Sequence, residues 1–379
     1  MRRMAVNWAN LEDFPLSLVL DKLEEHIDHV RFGAVCKNWL SIAKLSHQNH
    51  QFRVNIPPMV MIVGNESFNS KRISLHSILS QKHYSIQFPS IKFQVTCAAS
   101  FGWLSFVHDN GDITLLNPFK YTSIPPISLP PLGSSSSKSL CMVTLSADPI
   151  TSPNDYDIAA IYDLDHLALK RANQPFWIPI LNNPTPRRFS FTDVVFHKGL
   201  IVAADLGHRI VSFKLNNLPP DDLNDPNFTY YEKLATTEYY NHIPSQDYCG
   251  FVYLVKSLHG DLWLVRRNFE IILNKLSYTI DVYELELDVQ NGKLVQINKL
   301  DSLGDNILFI GFCGDSFSVP TSCLPNCKKD SIFFLCGNFM EDFGMGIYNV
   351  EDGSCQRLSL PLSSELMQYS WIVPQFQWD

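Results

Sequence analysis

Residues 199–213 read GLIVAADLGHRIVSF, in which two apolar runs flank a short turn that contains Asp205 and Gly207. Runs of Val, Ile and Ala separated by Asp and Gly are typical of a β-hairpin. Similar short runs occur at residues 113–116 and 331–335, and turn residues such as those at 109–112 separate them. This spacing of roughly 8–12 residues per strand predicts an all-β region that begins near residue 57.

A weak internal repeat lies within this β region. A glycine, an apolar strand, a turn and a second apolar strand occur at residues 102–116, at 199–213 and, more loosely, at 260–285. Gly102 and Gly199 are 97 residues apart, and a four-stranded propeller blade repeats about every 40–50 residues. About 320 residues at that period predict a β-propeller of six or seven blades, which leaves only short strand edges exposed. The third copy does not keep the period, so a large β-sandwich or two stacked β-domains remain alternatives.

The first fifty residues have a different pattern, which predicts three short helices. The apolar residues that follow Pro15 are spaced as on one helix face: Leu16, Val19, Leu20 and Leu23. Pro15 is expected at the first helical position, and Asp28 is expected to cap the second helix. The same spacing over residues 36–43 predicts the third helix. Such a small unit buries little apolar surface, so we expect a partner or the β-domain to cover part of it.

The composition excludes several classes of protein. The chain has 379 residues, with 45% hydrophobic and 18% charged residues and a net charge of −8. This charge argues against nucleic-acid binding through overall positive charge, and nine cysteines are too few for a disulfide framework. No stretch approaches 18 continuous apolar residues and the N-terminus resembles no secretory signal. We therefore expect a soluble protein of the nucleus or the cytoplasm, or of both.

Two stretches near the N-terminus carry a motif. Residues 8–15 read WANLEDFP and residues 31–39 read RFGAVCKNW. Together they resemble the F-box, which has a Trp, then Leu-Pro, a leucine-rich helix and finally Val-Cys-x-x-Trp. Phe14 stands where the family usually has Leu, and it keeps the bulk and the apolar character of that position.

The remainder of the chain resembles plant F-box proteins that carry a KIB-type β-propeller. The stretches that carry this resemblance are residues 102–104, 115–119, 253–257, 261–267, 303–311 and 346–348. The resemblance implies a mainly β fold, in which a small N-terminal three-helix F-box precedes a six- or seven-bladed β-propeller-like domain. It places the F-box at residues 5–50 and the propeller at residues 58–379.

The resemblance also implies a function. F-box proteins of this kind are substrate-recognition adaptors of Skp1–cullin–F-box (SCF) ubiquitin ligases and are not themselves enzymes. The F-box would dock on a Skp1-like protein and through it on a cullin, while the propeller would bind a client protein. We expect no cofactor and neither nucleic acid nor a membrane as partner. Two alternatives remain open, namely a propeller interaction protein that works outside any ligase, and a propeller hydrolase.

The motif suggests which residues face each partner. The apolar residues expected to contact Skp1 are Leu11, Phe14, Pro15, Leu20, Val35 and Cys36. A plainer alternative is that the helices only cap the β-domain. For the client, Trp177 is a weak candidate because it lies in a proline-flanked, exposed loop. Arg266 and Arg267 are a second candidate, since surface arginines pair well with acidic or phosphorylated groups.

Other chemistry finds little support in the sequence. Cys323 and Cys327 have a spacing seen in zinc sites, but a second ligand pair is needed, for which Cys313 and Cys336 are candidates. Cysteines on strands are more often small buried apolar residues. Loop acids such as Asp157 are usually solvated turn formers. We therefore predict no catalytic, metal or cofactor site.

Overall fold

The computed structural model describes most of the chain. The residues that it describes are 8, 11–23, 25–48, 56–67, 70–86, 95–98, 100–120, 123–132, 140–163, 166–180, 189–216, 231–239, 250–272, 275–311, 316–336, 344–358, 360 and 368–374. They form three N-terminal α-helices followed by strands that assemble into six sheets. The sheets are the blades of a six-bladed β-propeller. The mainly β prediction is confirmed with six blades, and the β-sandwich alternative is wrong.

The first two helices begin slightly earlier than the sequence predicts. Their bounds are α1 (Asp13–Leu20), α2 (His26–Gly33) and α3 (Lys37–Gln48). Pro15 therefore occupies the third helical position, where its missing N–H costs nothing because first-turn N–H groups have no partner within the helix. Asp28 lies inside the first turn of α2 rather than at its cap, where a negative charge still favours the helix dipole.

The three helices pack on one another through a small core. Its buried members are Leu16, Leu20, Phe32, Ile42 and Ala43, with Leu11, Leu23 and Trp39 packed against them. The rings of Phe32 and Trp39 lie 4.4 Å apart, and the indole N–H of Trp39 donates to the carbonyl of Trp8 at 3.2 Å. The helical module thus buries much of its apolar surface in a core of its own.

Blades 1 to 3 contain four strands each. Blade 1 joins both ends of the chain and consists of β1 (Met59–Ser67), β2 (Ser70–Ser77), β3 (His83–Ile86) and β25 (Gln368–Ile372). Blade 2 consists of β4 (Val95–Ala98), β5 (Leu104–Val107), β6 (Ile113–Leu116) and β7 (Ile127–Leu129). Blade 3 consists of β8 (Leu140–Leu145), β9 (Asp157–Tyr162), β10 (His166–Arg171) and β11 (Ile178–Ile180).

Blades 4 and 5 repeat this plan, and blade 6 has a fifth strand. Blade 4 consists of β12 (Phe191–His197), β13 (Leu200–Asp205), β14 (Arg209–Leu215) and β15 (Tyr231–Glu238). Blade 5 consists of β16 (Gly250–Lys256), β17 (Leu262–Ile272), β18 (Lys275–Leu287) and β19 (Leu294–Lys299). Blade 6 consists of β20 (Asn306–Ile310), β21 (Phe317–Pro320), β22 (Ser331–Cys336), β23 (Gly344–Asn349) and β24 (Cys355–Leu358). The predicted hairpin of residues 199–213 is β13–β14.

The last strand of the chain closes the ring. Strand β25 pairs antiparallel with β1, in a register that runs from Met59 opposite Ile372 to Val63 opposite Gln368. Within β25, Trp371 packs edge-on against Phe309 of blade 6, with ring centroids 4.9 Å apart. Its indole N–H donates to the carbonyl of Ile310 at 2.9 Å. The closure removes two long sheet edges that would otherwise be free to pair with other chains.

Blade 6 departs from the simple meander of the other blades. Strands β20 and β22 pair in parallel, with Leu308 opposite Ile332, and a parallel pair requires a crossover connection. The crossover is formed by β21, which pairs with the free side of β20 and then leads into a short 3-10 turn at Thr321–Cys323. Strand β21 therefore becomes the innermost strand of its blade.

The helical module rests against blade 1. Glu25, immediately before α2, is buried and accepts a hydrogen bond from the hydroxyl of Ser77 at the end of β2. The guanidinium of Arg31 on α2 lies 5.6 Å from the ring of Tyr84 on β3. These contacts use α2, so the helices do cap the propeller, but they do so without covering α1.

Replacement of Trp371 by Ala tests the closure. We expect it to lower the free energy of unfolding by about 3–5 kcal/mol, because the change leaves a large cavity between blades 6 and 1. Urea denaturation of the purified chain measures this loss. The matched control is Val295→Ala on β19, whose side chain is exposed. Equal urea midpoints for the two variants would show that the contacts of Trp371 contribute nothing to the stability of the folded chain.

Candidate partner-binding surfaces

Several large apolar side chains of the helical module face solvent, and Phe14, Leu18 and Val35 are three of them. The exposed fractions are 73% for Phe14, 49% for Leu18 and 53% for Val35. Phe14 and Leu18 lie one turn apart on the same face of α1, and Val35 lies in the turn between α2 and α3. We call these three residues the helical surface. Several exposed apolar groups on so small a module are typical of a protein–protein interface.

The predicted Skp1-facing residues do not all lie on this surface. Phe14 and Val35 are exposed, while Pro15 and Cys36 are half-buried beside them in sequence. Leu11 is half-buried and packs against the helical core. For these residues, contact with a partner stays a prediction.

Leu20 corrects the prediction. Its side chain is 0% exposed and lies in the helical core with Leu16, so it is not available to a partner. Residues two positions apart on a helix point to nearly opposite sides, which is why burial of Leu16 and Leu20 exposes Phe14 and Leu18. The sequence analysis missed Leu18, although its spacing of four residues from Phe14 was the signal.

A second surface lies at one end of the propeller channel. A cavity of about 590 Å³ opens there, and residues of all six blades line it. Phe101 and Leu258 stand at its edge with 40% of each side chain exposed, and Phe317 and Val319 of β21 line the wall. We call this cavity the channel mouth. Its apolar lining can accept an apolar side chain of another protein.

A basic groove adjoins the channel mouth. This cavity of about 350 Å³ lies between blades 3 and 4 and shares Phe196 and Lys256 with the mouth. The cations that line it are Arg171, Lys198, Lys214 and Lys256, and among the described residues that line it Asp157 is the one carboxylate. The guanidinium of Arg171 lies 3.8 Å from the carboxylate of Asp157.

The turn between β12 and β13 presents one of these lysines. Lys198 has φ 48° and Gly199 has φ 79°, which is the pattern of a two-residue turn with both central residues in the left-handed region. Glycine adopts this conformation readily, and at Lys198 the short turn imposes it. The Lys198 side chain is exposed as a result.

The pKa of His197 depends on its burial and on the charges near the groove. The pKa of its imidazole is lowered to about 4, mainly by burial and then by the positive charges of Lys198 and Lys256, which outweigh the opposite effect of Asp261. The ring is therefore neutral near pH 7, and it adds no charge to the groove.

The structure places Trp177 in a different environment from the one predicted. Its ring is half-buried and packs against the apolar cluster that blades 2 and 3 share. Its indole N–H donates to the carbonyl of Pro130 at 2.7 Å. Trp177 therefore connects two blades, and the prediction of an exposed loop residue is wrong.

Arg266 and Arg267 are also buried rather than on the surface. Arg267 is 1% exposed, and its guanidinium lies 5.1 Å from the Phe251 ring and 5.2 Å from the Phe334 ring. It donates to the carbonyl of Leu335 at 3.2 Å. The charge of Arg266 acts on buried Tyr239, where it opposes the rise in pKa that burial causes. Both arginines are thus enclosed within the propeller, and the prediction of a surface pair is wrong.

Burial disfavours the thiolate forms of the two cysteines with zinc-like spacing. Burial raises the pKa of Cys323 to about 12, with a further contribution from Asp305, and burial raises the pKa of Cys327 as well. Metal binding needs thiolates. Within the described part of the chain, no group of three or more His, Cys, Asp or Glu residues is placed to hold a metal ion. Cys313 lies outside that part. No helix that the structure describes is both long and apolar enough to cross a membrane.

The fold and these surfaces define a six-bladed β-propeller with an N-terminal helical module. Residues 72–349 match the KIB1-4 beta-propeller family, and the chain belongs to that family. A protein of Arabidopsis thaliana named as an F-box protein is 24% identical over 388 residues, covering 92% of each chain. That alignment reaches into the helical module, so the resemblance to plant F-box proteins with a KIB-type propeller is confirmed.

Some solved structures match the chain at a low level of similarity. A protein described as a 6-phosphogluconolactonase from Bacteroides uniformis is 12% identical, with a TM-score of 0.40, and the match covers 83% of this chain and 99% of that one. A protein of the same description from Bacteroides fragilis is 10% identical, with a TM-score of 0.38, covering 83% and 98%. Similarity this distant carries no argument about activity.

The pH dependence of stability tests the environment of His197. Its pKa is about 4 in the folded chain and 6.5 in the reference state. Between those values the unfolded chain binds the extra proton, so stability falls as the pH falls from 6.5 to 4. We expect His197→Gln to lose about 2–4 °C less in Tm over this range than the wild type. Differential scanning fluorimetry measures this difference.

The control is His259→Gln, which changes an exposed histidine near the channel mouth. It should follow the wild-type pH dependence. If His197→Gln also follows the wild type, the imidazole does not titrate as its surroundings require.

Proposed function

We propose that this protein is the substrate-recognition adaptor of an SCF ubiquitin ligase, with its helices docked on a Skp1-like protein and its propeller holding a client. The observation that carries the proposal is the exposure of Phe14, Leu18 and Val35 on a small module that already has a buried apolar core of its own. The F-box relative from Arabidopsis supports it.

The energetics of docking fit such an interface. Covering one Phe, Leu or Val side chain contributes about 1.5–3 kcal/mol. The helices already have a core and rest on blade 1 through Glu25 and Ser77, so docking does not have to order them. Low ordering cost leaves more of the apolar contribution available as affinity.

In this proposal the protein contributes position and no reacting group. The Skp1-like protein connects it to a cullin, and the client on the propeller is held near the charged ubiquitin-conjugating enzyme. Holding two reactants together raises their effective concentration, which accelerates transfer to client lysines. The site of action is the nucleus, the cytoplasm or both, and no cofactor is needed.

Co-purification with a Skp1-like protein tests the docking. We expect Phe14→Ala combined with Leu18→Ala to lower recovery of an Arabidopsis Skp1-like protein at least tenfold, because the double substitution removes two of the three apolar side chains of the helical surface. The thermal unfolding of the chain should stay the same, since neither side chain belongs to the helical core. Cullin recovery from plant extract should fall in parallel.

Two further variants make the result interpretable. Val289→Ala removes an exposed apolar side chain from blade 5 and should leave Skp1 recovery unchanged. Leu20→Ala should destabilise the helical module by about 2–5 kcal/mol, because it opens a cavity in the core. Undiminished Skp1 recovery by the Phe14/Leu18 variant would refute the docking surface. Skp1 recovery without cullin would favour an interaction protein that works outside a ligase.

A further inference from the structure

The channel mouth and the basic groove lie on the same face of the propeller. Strands β8, β12 and β16 each end at the mouth, where they contribute Leu145, Phe196 and Lys256. Strands β10 and β14 run parallel to β8 and β12 through two antiparallel pairings. Their last residues, including Arg171 and Lys214, therefore reach that same face.

The helical module contacts the propeller on this same face. Strand β2 runs parallel to β25, because both pair antiparallel with β1. The end of β2 at Ser77, which bonds Glu25, thus lies level with the end of β25, and Ile372 there lines the channel mouth. The helices sit over blade 1, whereas the basic groove lies across the ring between blades 3 and 4.

Phe101 is held in a costly backbone conformation at the edge of the mouth. Its φ is 60° and its ψ is 28°, in the left-handed region. An aromatic residue there costs on the order of 1–3 kcal/mol, and such strain is concentrated at binding sites. In this conformation the phenyl ring is partly exposed beside the channel mouth.

The charge of the groove is opposite to that of the chain. Four cations and one carboxylate line it, while the whole protein has a net charge of −8. A local positive region in an acidic protein attracts an acidic segment, and the overall negative charge disfavours a long polyanion such as a nucleic acid.

We propose that this face binds an acidic peptide segment of the client, with an apolar side chain in the channel mouth and carboxylates over Lys198 and Lys214. The two cavities are continuous through Phe196 and Lys256, so neighbouring residues of one extended segment reach both. This inference deepens the proposed function, since the segment belongs to the client that the adaptor holds.

Peptide selection on the full-length chain tests the binding directly. The probe is a phage-displayed library of random dodecapeptides, with the selected peptides remade with a fluorescent label for anisotropy. We expect enrichment of peptides in which Leu or Phe lies next to several Asp or Glu residues. Their affinity should fall as NaCl is raised from 50 to 500 mM, because salt screens the charge pairs.

Charge-reversal variants locate the acidic end of the peptide. Lys198→Glu combined with Lys214→Glu should weaken binding at least tenfold. The matched control is Lys293→Glu combined with Lys329→Glu, which makes the same change in net charge at exposed lysines outside both cavities. Control binding should stay within twofold of the wild type.

Two further variants locate the apolar end. Leu258→Ser should weaken binding at least fivefold, whereas Leu206→Ser, a comparably exposed residue on the opposite face, should not. Phe101→Gly should weaken binding while keeping or raising the Tm, because glycine relieves the left-handed strain.

The outcomes separate this inference from the proposed function. Selection of basic or uncharged peptides, or equal loss of binding in the lysine variants and their control, overturns the acidic-segment site. Binding of a labelled single-stranded oligonucleotide in place of any peptide overturns it as well. Skp1 recovery is measured on the same variants. Normal Skp1 recovery together with failed peptide binding refutes the acidic-segment site and leaves the adaptor function supported. Failure of the wild-type chain to recover the Skp1-like protein, with peptide binding retained, refutes the adaptor function and leaves the peptide site supported.

Discussion

The pairing of β25 with β1 is the constraint on which the rest of the structure depends. It brings the last strand of the chain beside the first and seals blade 1 against blade 6 through Trp371. Because the ring is closed, the inner strands keep a fixed arrangement around the channel, and their ends form one face. Blade 1 also carries the helical module through Ser77 and Tyr84. Closure therefore fixes both surfaces in relation to each other.

This arrangement gives the proposed adaptor a simple geometry. The helical surface and the proposed peptide site belong to one face of the molecule, over blade 1 and across blades 3 to 5 respectively. The helices contact the propeller through α2, which leaves Phe14 and Leu18 of α1 exposed. In the proposed function, a rigid connection of this kind holds a client at a constant distance from the ligase scaffold, which is what acceleration by proximity requires.

Much of the fold could be predicted from the sequence, because hydrophobic spacing and turn residues are local signals. The hairpin of residues 199–213 and the three helices follow from them. The exact blade count could not be predicted, since the equivalent turns at Gly199 and Gly260 in neighbouring blades 4 and 5 are 61 residues apart, longer than the usual blade period of about 40–50 residues. The site was less predictable. The burial of Leu20, Trp177 and Arg267 depends on neighbours distant in sequence, such as Pro130 and Leu335. The channel mouth likewise brings together residues from all six blades.

Hydrogen–deuterium exchange of the full chain with and without a purified Skp1-like protein tests the central claim most directly. The account predicts that protection on mixing is confined to α1 and to the turn around Val35, while the inner strands of the propeller exchange as before. It also predicts that the backbone amides of α1 are already partly protected in the free chain, because the helical core is formed without a partner. Absence of protection in α1, or protection that falls on the propeller blades instead, would contradict the account.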